Sequence, residues 1–186
     1  KIKLKGMMEE SVKQEKEKEI EVKTFTVPFA LGEIKENSST RKTSKEEIIN
    51  QAFEFHSKGN IKEAANYYQE FINQGFKDHR VFSNYGTILK NQGNLKEAEE
   101  FYRKAIELNP EFANAHNNLG NILKNLGKTE EAEKSYREAI AFNPDFAEVH
   151  YNLGGILRDN DKLTEAENSY RKAIELNPES SLAYRD

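Results

Sequence analysis

The sequence predicts an all-α fold, a solenoid of antiparallel helix pairs, and three observations predict it. The first is internal repetition. The segments EEFYRKAIELNPEF, EKSYREAIAFNPDF and ENSYRKAIELNPES begin at Glu99, Glu133 and Glu167, each displaced from the last by the same interval of about 34 residues. The second is the pattern inside each interval. Apolar residues at i, i+3 and i+7, as in His116, Leu119 and Leu123, mark one face of a helix. The third is composition. Of 186 residues, 36% are hydrophobic and 32% charged. That balance suits units that each bury one face against a neighbour and leave a broad solvated surface.

In chain order, residues 1–44 form a charged leader that reads as disordered or loosely helical. Lys13 to Lys23 is mostly Lys and Glu, and Asn37 to Ser44 is polar, so little apolar surface offsets the entropy of ordering. An apolar island, Phe25 to Leu31, interrupts it. Either this island folds back on the first helix or it is a short linear motif for a partner.

The repeats follow without gaps as 45–78, 79–112, 113–146 and 147–180, and a fifth starts at 181–186. In each, a first helix ends near a glycine, Gly59, Gly93 or Gly127, which takes up the left-handed backbone that closes a helix. The fourth unit has Asp161 there, and the spacing predicts that Asn160 adopts this conformation. A second helix then runs to the Asn-Pro pairs at Asn109, Asn143 and Asn177, where proline cannot continue it. Small residues, Gly86, Gly120 and Gly154 on first helices and Ala98, Ala132 and Ala166 on second helices, predict close packing, with Tyr102, Tyr136 and Tyr170 filling the space between units.

These positions carry a resemblance. The third unit has His116, Leu119, Gly120, Leu123, Ala132, Tyr136, Ala139 and Pro144; the fourth has His150, Leu153, Gly154, Leu157, Ala166, Tyr170, Ala173 and Pro178. The second matches with Phe82, Tyr85, Gly86, Leu89, Ala98, Tyr102, Ala105 and Pro110. The first diverges, with Phe71 at the usual small residue and Phe76 at the proline. The pattern covers about three quarters of the chain and resembles the tetratricopeptide repeat. It is similar to bacterial, cyanobacterial-type arrays and to the repeat region of O-linked N-acetylglucosamine transferases. The resemblance implies a right-handed superhelix whose concave groove, lined by first helices, holds a peptide or protein segment.

Candidate binding residues follow from positions repeated at one height. The sixth residue of each unit is asparagine: Asn50, Asn84, Asn118 and Asn152. An amide donates and accepts, so such a ladder pairs either with a peptide backbone or within the scaffold. Asn117, Asn121 and Tyr151 neighbour it in sequence. The twelfth residues are basic, His56, Lys90, Lys124 and Arg158. They either favour an acidic ligand or sit as solvated cations at helix ends. The lysine of the family's chaperone-carboxylate clamp is missing, since Ile49, Ser83, Asn117 and Tyr151 stand at its position.

No catalytic, cofactor or metal site is expected. There is no cysteine, no phosphate loop, no nucleophile elbow and no triad. His116 and His150 occupy a packing position rather than a zinc site. A net charge of -4 gives no nucleic-acid signature. No apolar run spans a bilayer and no secretory signal is present, compatible with a cytoplasmic location. The expected role is therefore a protein-interaction module, scaffold or adaptor. Two rivals are the recognition arm of a larger glycosyl- or sulfotransferase, and a scaffold that self-associates through uncapped terminal helices. The break at Asp186, inside a fifth first helix, predicts further sequence or two chains burying these ends together.

Overall fold

The computed structural model describes residues 44–179. The charged leader, the apolar island and the truncated fifth unit lie outside the described residues, apart from Ser44. The described residues form eight helices: α1 (Lys45–Ser57), α2 (Ile61–Asn73), α3 (His79–Asn91), α4 (Leu95–Leu108), α5 (Ala113–Asn125), α6 (Thr129–Phe142), α7 (Ala147–Asp159) and α8 (Leu163–Leu176). No strand occurs among them.

Local chemistry sets the ends. Ser44 opens α1 with a capping box: its hydroxyl accepts from the Glu47 backbone N–H at 3.2 Å, and its own N–H donates to the Glu47 carboxylate at 2.8 Å. Each first helix closes with the same turn. The N–H of Asn60, Asn94, Lys128 and Lys162 reaches back to the carbonyl of Phe55, Leu89, Leu123 and Leu157 at 2.8–2.9 Å. In the fourth unit the left-handed residue is Asp161, at φ 59°, while Asn160 stays at φ -98°. The expectation for Asn160 is therefore corrected. The turn keeps its register, and the short polar side chain at the glycine position bears the backbone cost.

The first unit also ends differently. Gly75 has φ 77°, and the Phe76 N–H bonds the Phe71 carbonyl at 3.2 Å, so a glycine closure ends α2. Asp78 then caps α3 by accepting from the Arg80 N–H at 2.9 Å. These two devices replace the Asn-Pro break of later units.

Each first helix packs chiefly on the second helix that follows it, and each second helix on the next first helix. In addition α3 touches α5 and α5 touches α7, whereas no two second helices pack comparably. First helices therefore crowd together along the inner wall, and second helices splay outside. The core is made of fully buried tyrosines, Tyr68, Tyr102 and Tyr136, with Ile122, Leu123, Ile156 and Leu157. The rings of Tyr102 and Tyr136 lie first of all across the glycines of their own units. A Cβ on Gly86 would stand 3.1 Å from Tyr102, and one on Gly120 only 2.5 Å from Tyr136. The following unit completes their burial, because Tyr170, with no described unit after it, is only half-buried.

Outside, charges tie the last three units together. Arg103 donates to Glu99 at 2.8 Å and to Glu131, one unit on, at 3.1 Å, while Lys128 reaches back to Glu99 at 3.0 Å. One repeat later Arg137 bridges Glu133 and Glu165, and Lys162 bonds Glu133 at 2.9 Å. Exposed ion pairs contribute little, but the Glu99 and Glu133 side chains are only 13% and 7% exposed. Burial would raise the pKa of both. Hydrogen bonds and charges from Lys162 and Arg137 outweigh it at Glu133, as those of Arg103 and Lys128 do at Glu99, and both are held below the usual carboxylate range.

Two outcomes follow from this packing. Gly120→Ala should destabilise the fold by about 1–3 kcal/mol in urea melts, because Tyr136 is enclosed. Gly154→Ala should cost less, since half-buried Tyr170 has room to yield; equal losses would refute the seam. The carboxylates predict a pH slope. A depressed folded pKa stabilises fully above the unfolded value and loses that contribution as pH falls through the folded one. Stability should drop as the pH falls through the ordinary carboxylate range and below it, and Glu99→Gln with Glu133→Gln should flatten that slope while lowering stability at neutral pH. An unchanged slope would show that the pair carries none of the acid sensitivity.

Candidate functional site

The sequence-predicted asparagines stand on the first helices in two different states. Asn84 donates Nδ2–H to the Tyr68 hydroxyl of the preceding unit at 3.2 Å, and that hydroxyl lies 2.8 Å from His56 Nδ1. Burial pushes the Tyr68 phenol up to about 12, with the Asn84 hydrogen bond opposing the rise. Asn152 likewise donates backwards, to Asn117 Oδ1 at 3.2 Å and Asn121 Oδ1 at 3.3 Å. These two amides link neighbouring units. Asn50 is exposed and Asn118 half-buried, and neither amide bonds to another described residue.

Around Asn152 a polar network forms. Tyr136 donates its hydroxyl to Asn121 Oδ1 at 2.8 Å, and Asn117 donates to Glu148 at 3.4 Å. Burial, and then the Glu148 charge, hold the Tyr136 phenol protonated well above its ordinary range. Asn121 is the ninth residue of its unit. In the second unit Thr87 has the same place, and its hydroxyl lies 3.1 Å from that of Tyr102. In the fourth the place is held by Gly155, so the Tyr170 hydroxyl has no such partner.

The basic row divides too. His56 serves Tyr68, as above. Lys90 is half-buried and Lys124 exposed, and neither pairs with a described carboxylate. Arg158 is held by its neighbour Asp159 at 3.1 Å. Tyr151 stacks at an angle on Tyr170, with ring centres 5.4 Å apart. Burial raises the Tyr170 phenol, and the nearby Arg158 guanidinium opposes it. Lys124 crosses to the next unit, where its ammonium lies 3.6 Å from the point a Cβ of residue 155 would occupy.

His116 and His150 each donate Nε2–H to the carbonyl of Pro110 and Pro144, both at 2.8 Å, and so fasten their helices to the preceding turns. No cluster of three metal-ligating side chains occurs among the described residues, and none of their helices is long and apolar enough to cross a membrane. A cleft of about 510 Å³ opens on the other side, between α4 and α6 over α5. It is lined by Ile106, His116, Leu119, Leu123, Arg103 and Lys134 and includes none of the sequence-predicted site residues. Tyr170 was singled out from the sequence only as a residue packed between units, and Glu148 and Gly155 were not singled out. Comparing the ninth residue of each unit, Phe53, Thr87, Asn121 and Gly155, is the signal that finds the last of these.

Comparison with known proteins agrees with this architecture. Family profiles described as TPR repeat match residues 86–127 and 120–157, and profiles described as tetratricopeptide repeat match residues 147–180 and 51–71. No curated protein matches. Among solved structures, MamA shares 18% identity over 75% of this chain and 82% of its own, with a TM-score of 0.67. YrrB, described as a TPR protein with an unusual peptide-binding site, shares 24% over 76% and 73%, with a TM-score of 0.66. A tetratricopeptide repeat protein from Parabacteroides merdae shares 26% over 73% and 54%, with a TM-score of 0.63.

Proposed function

Because the chain belongs to the tetratricopeptide-repeat family, we propose that it is an interaction scaffold whose inner wall holds an extended peptide or protein segment against α3, α5 and α7. One observation carries this reading: the Asn118 amide stands in the middle of that wall without a partner among the described residues. Its donors and acceptor are free to pair with a peptide backbone. Among the described residues Asn84 and Asn152 keep their carbonyl oxygens unengaged while their amino groups link units. The wall is thus both self-supporting and receptive. The solved structure of YrrB, described as a TPR protein with an unusual peptide-binding site, supports this use of the fold.

The roles of the asparagines separate in one experiment. A short peptide selected from a displayed library against this chain is titrated into the wild type and variants. Asn118→Ala with Asn50→Ala should weaken it about fivefold, the equivalent of about 1 kcal/mol, with an unchanged melting temperature. Asn152→Ala should instead lower stability by about 1 kcal/mol, because it removes a link between units. Selected peptides that bind equally to the Asn50/Asn118 variant, or that map to the cleft between α4 and α6, would sink the reading.

A second reading concerns the end of the stack. Leu163 is 64% exposed, Ile174 42%, and Tyr170 half-buried, although tyrosines at its position are sealed in the preceding units. This face of α8 is shaped to be covered, and a second copy would serve. Sedimentation should then show concentration-dependent association that Ile174→Arg abolishes; a monomer at every concentration ends this reading.

A further inference from the structure

The four units repeat so closely that a departure at one position stands out. At the ninth residue of the first helix, Thr87 and Asn121 each engage the tyrosine hydroxyl of their own unit. In the first unit Phe53 packs edge-on against Tyr68, whose hydroxyl meets His56. In the fourth unit Gly155 provides no side chain at all. Around the place where one would begin, the structure sets two donors. The Lys124 ammonium is 3.6 Å from that point and the Tyr170 hydroxyl 3.7 Å. Neither has a hydrogen-bond partner among the described residues. Arg158 lies beside Tyr170, shared with Asp159.

We propose that the Gly155 notch receives a carboxylate of an acidic peptide, held between the Lys124 ammonium and the Tyr170 hydroxyl, with Arg158 beside it. The chemistry supports this occupant. A carboxylate offers about four acceptor sites and satisfies an ammonium and a phenol at once. Cations at the C-terminal ends of first helices are explained by the helix dipole alone. The dipole does not explain why the residue beneath Lys124 is a glycine in mid-helix, where a larger residue would stabilise the helix. Nor does steric need explain it. The nearest atoms to a Cβ at 155 are at ordinary contact distance, whereas at Gly154 the ring of Tyr170 forbids one. The Lys124 charge also finds no carboxylate among the described residues, which leaves a positive site where an acidic side chain of a bound segment arrives.

The inference rests on the inner-wall reading and sharpens its specificity. The test is a titration followed by amide NMR, using an acetylated, amidated peptide of alternating Glu and Ala and its Gln-for-Glu counterpart. The Glu peptide should shift the amides of Gly155, Lys124 and Arg158 and bind at least about tenfold more tightly than the Gln peptide, with added salt erasing the difference. Gly155→Asn restores the side chain that the third unit carries and ties up Tyr170 as Asn121 ties up Tyr136. It should remove the preference for Glu while the melting temperature holds or rises. Lys124→Gln, an exposed change that spares the fold, should do the same. Equal binding of both peptides with shifts along α3, α5 and α7 would overturn the notch and leave the inner-wall reading intact. No shift with either peptide would overturn the notch, and shifts confined to second helices would overturn both readings.

Discussion

The last three units depend on one close approach, a tyrosine ring laid against a helix glycine, and the first unit seats Tyr68 in the same core with Ala52 at that place. Gly120 lets α5 come so near α6 that any β-carbon would enter the ring of Tyr136. That nearness sets the spacing within a pair, and the buried ring then presents its far side to the next pair. Because the contact recurs at Gly86 and Gly154, the pairs are congruent and stack with matching residues at matching heights. Congruence is what turns scattered asparagines into a row.

Two sets of links hold successive pairs, and they differ in chemistry by side. The outer links are charged: Arg103 to Glu131, Lys128 to Glu99, and their counterparts one unit on. The inner links are mostly neutral, built from amides and phenols such as Asn84 with Tyr68 and Asn152 with Asn117 and Asn121, with one carboxylate, Glu148, accepting from Asn117. A neutral wall of donors and acceptors suits contact with a peptide backbone, which is also neutral. Charges on the first helices are fewer: Glu148 accepts from Asn117, Arg158 pairs with Asp159, and Lys124 pairs with no described carboxylate.

Much of this was readable in the sequence, and for a physical reason. A strict period with Gly, Ala and Tyr in fixed places constrains helix ends, pairing and the core at once, so eight helices follow from spacing alone. What escaped were relations between units. Lys128 and Glu99 are far apart in sequence, and nothing in their local pattern of charges says that a lysine in one turn lands beside a glutamate on the preceding second helix. Glu99 lies in a charged stretch of its helix, yet its side chain is only 13% exposed. The asparagines show the same limit. Their alignment was visible, but only packing distinguishes Asn84, bonded to Tyr68, from Asn118, whose counterpart Tyr102 meets Thr87 instead. Asp161 was a smaller miss: position in the turn, not preference for asparagine, selects the left-handed residue.

The outer charges begin only at the second pair. Ala65 and Gln69 stand where later units carry the bridging glutamate and arginine, and the first joint relies on a hydrogen bond from Tyr85 to Gln69 at 2.7 Å. Bracing by charge is therefore graded along the solenoid. Ion pairs cross-link the last three pairs, whereas the first joint, where Asn84 meets Tyr68, is held by neutral hydrogen bonds and a shared apolar cluster.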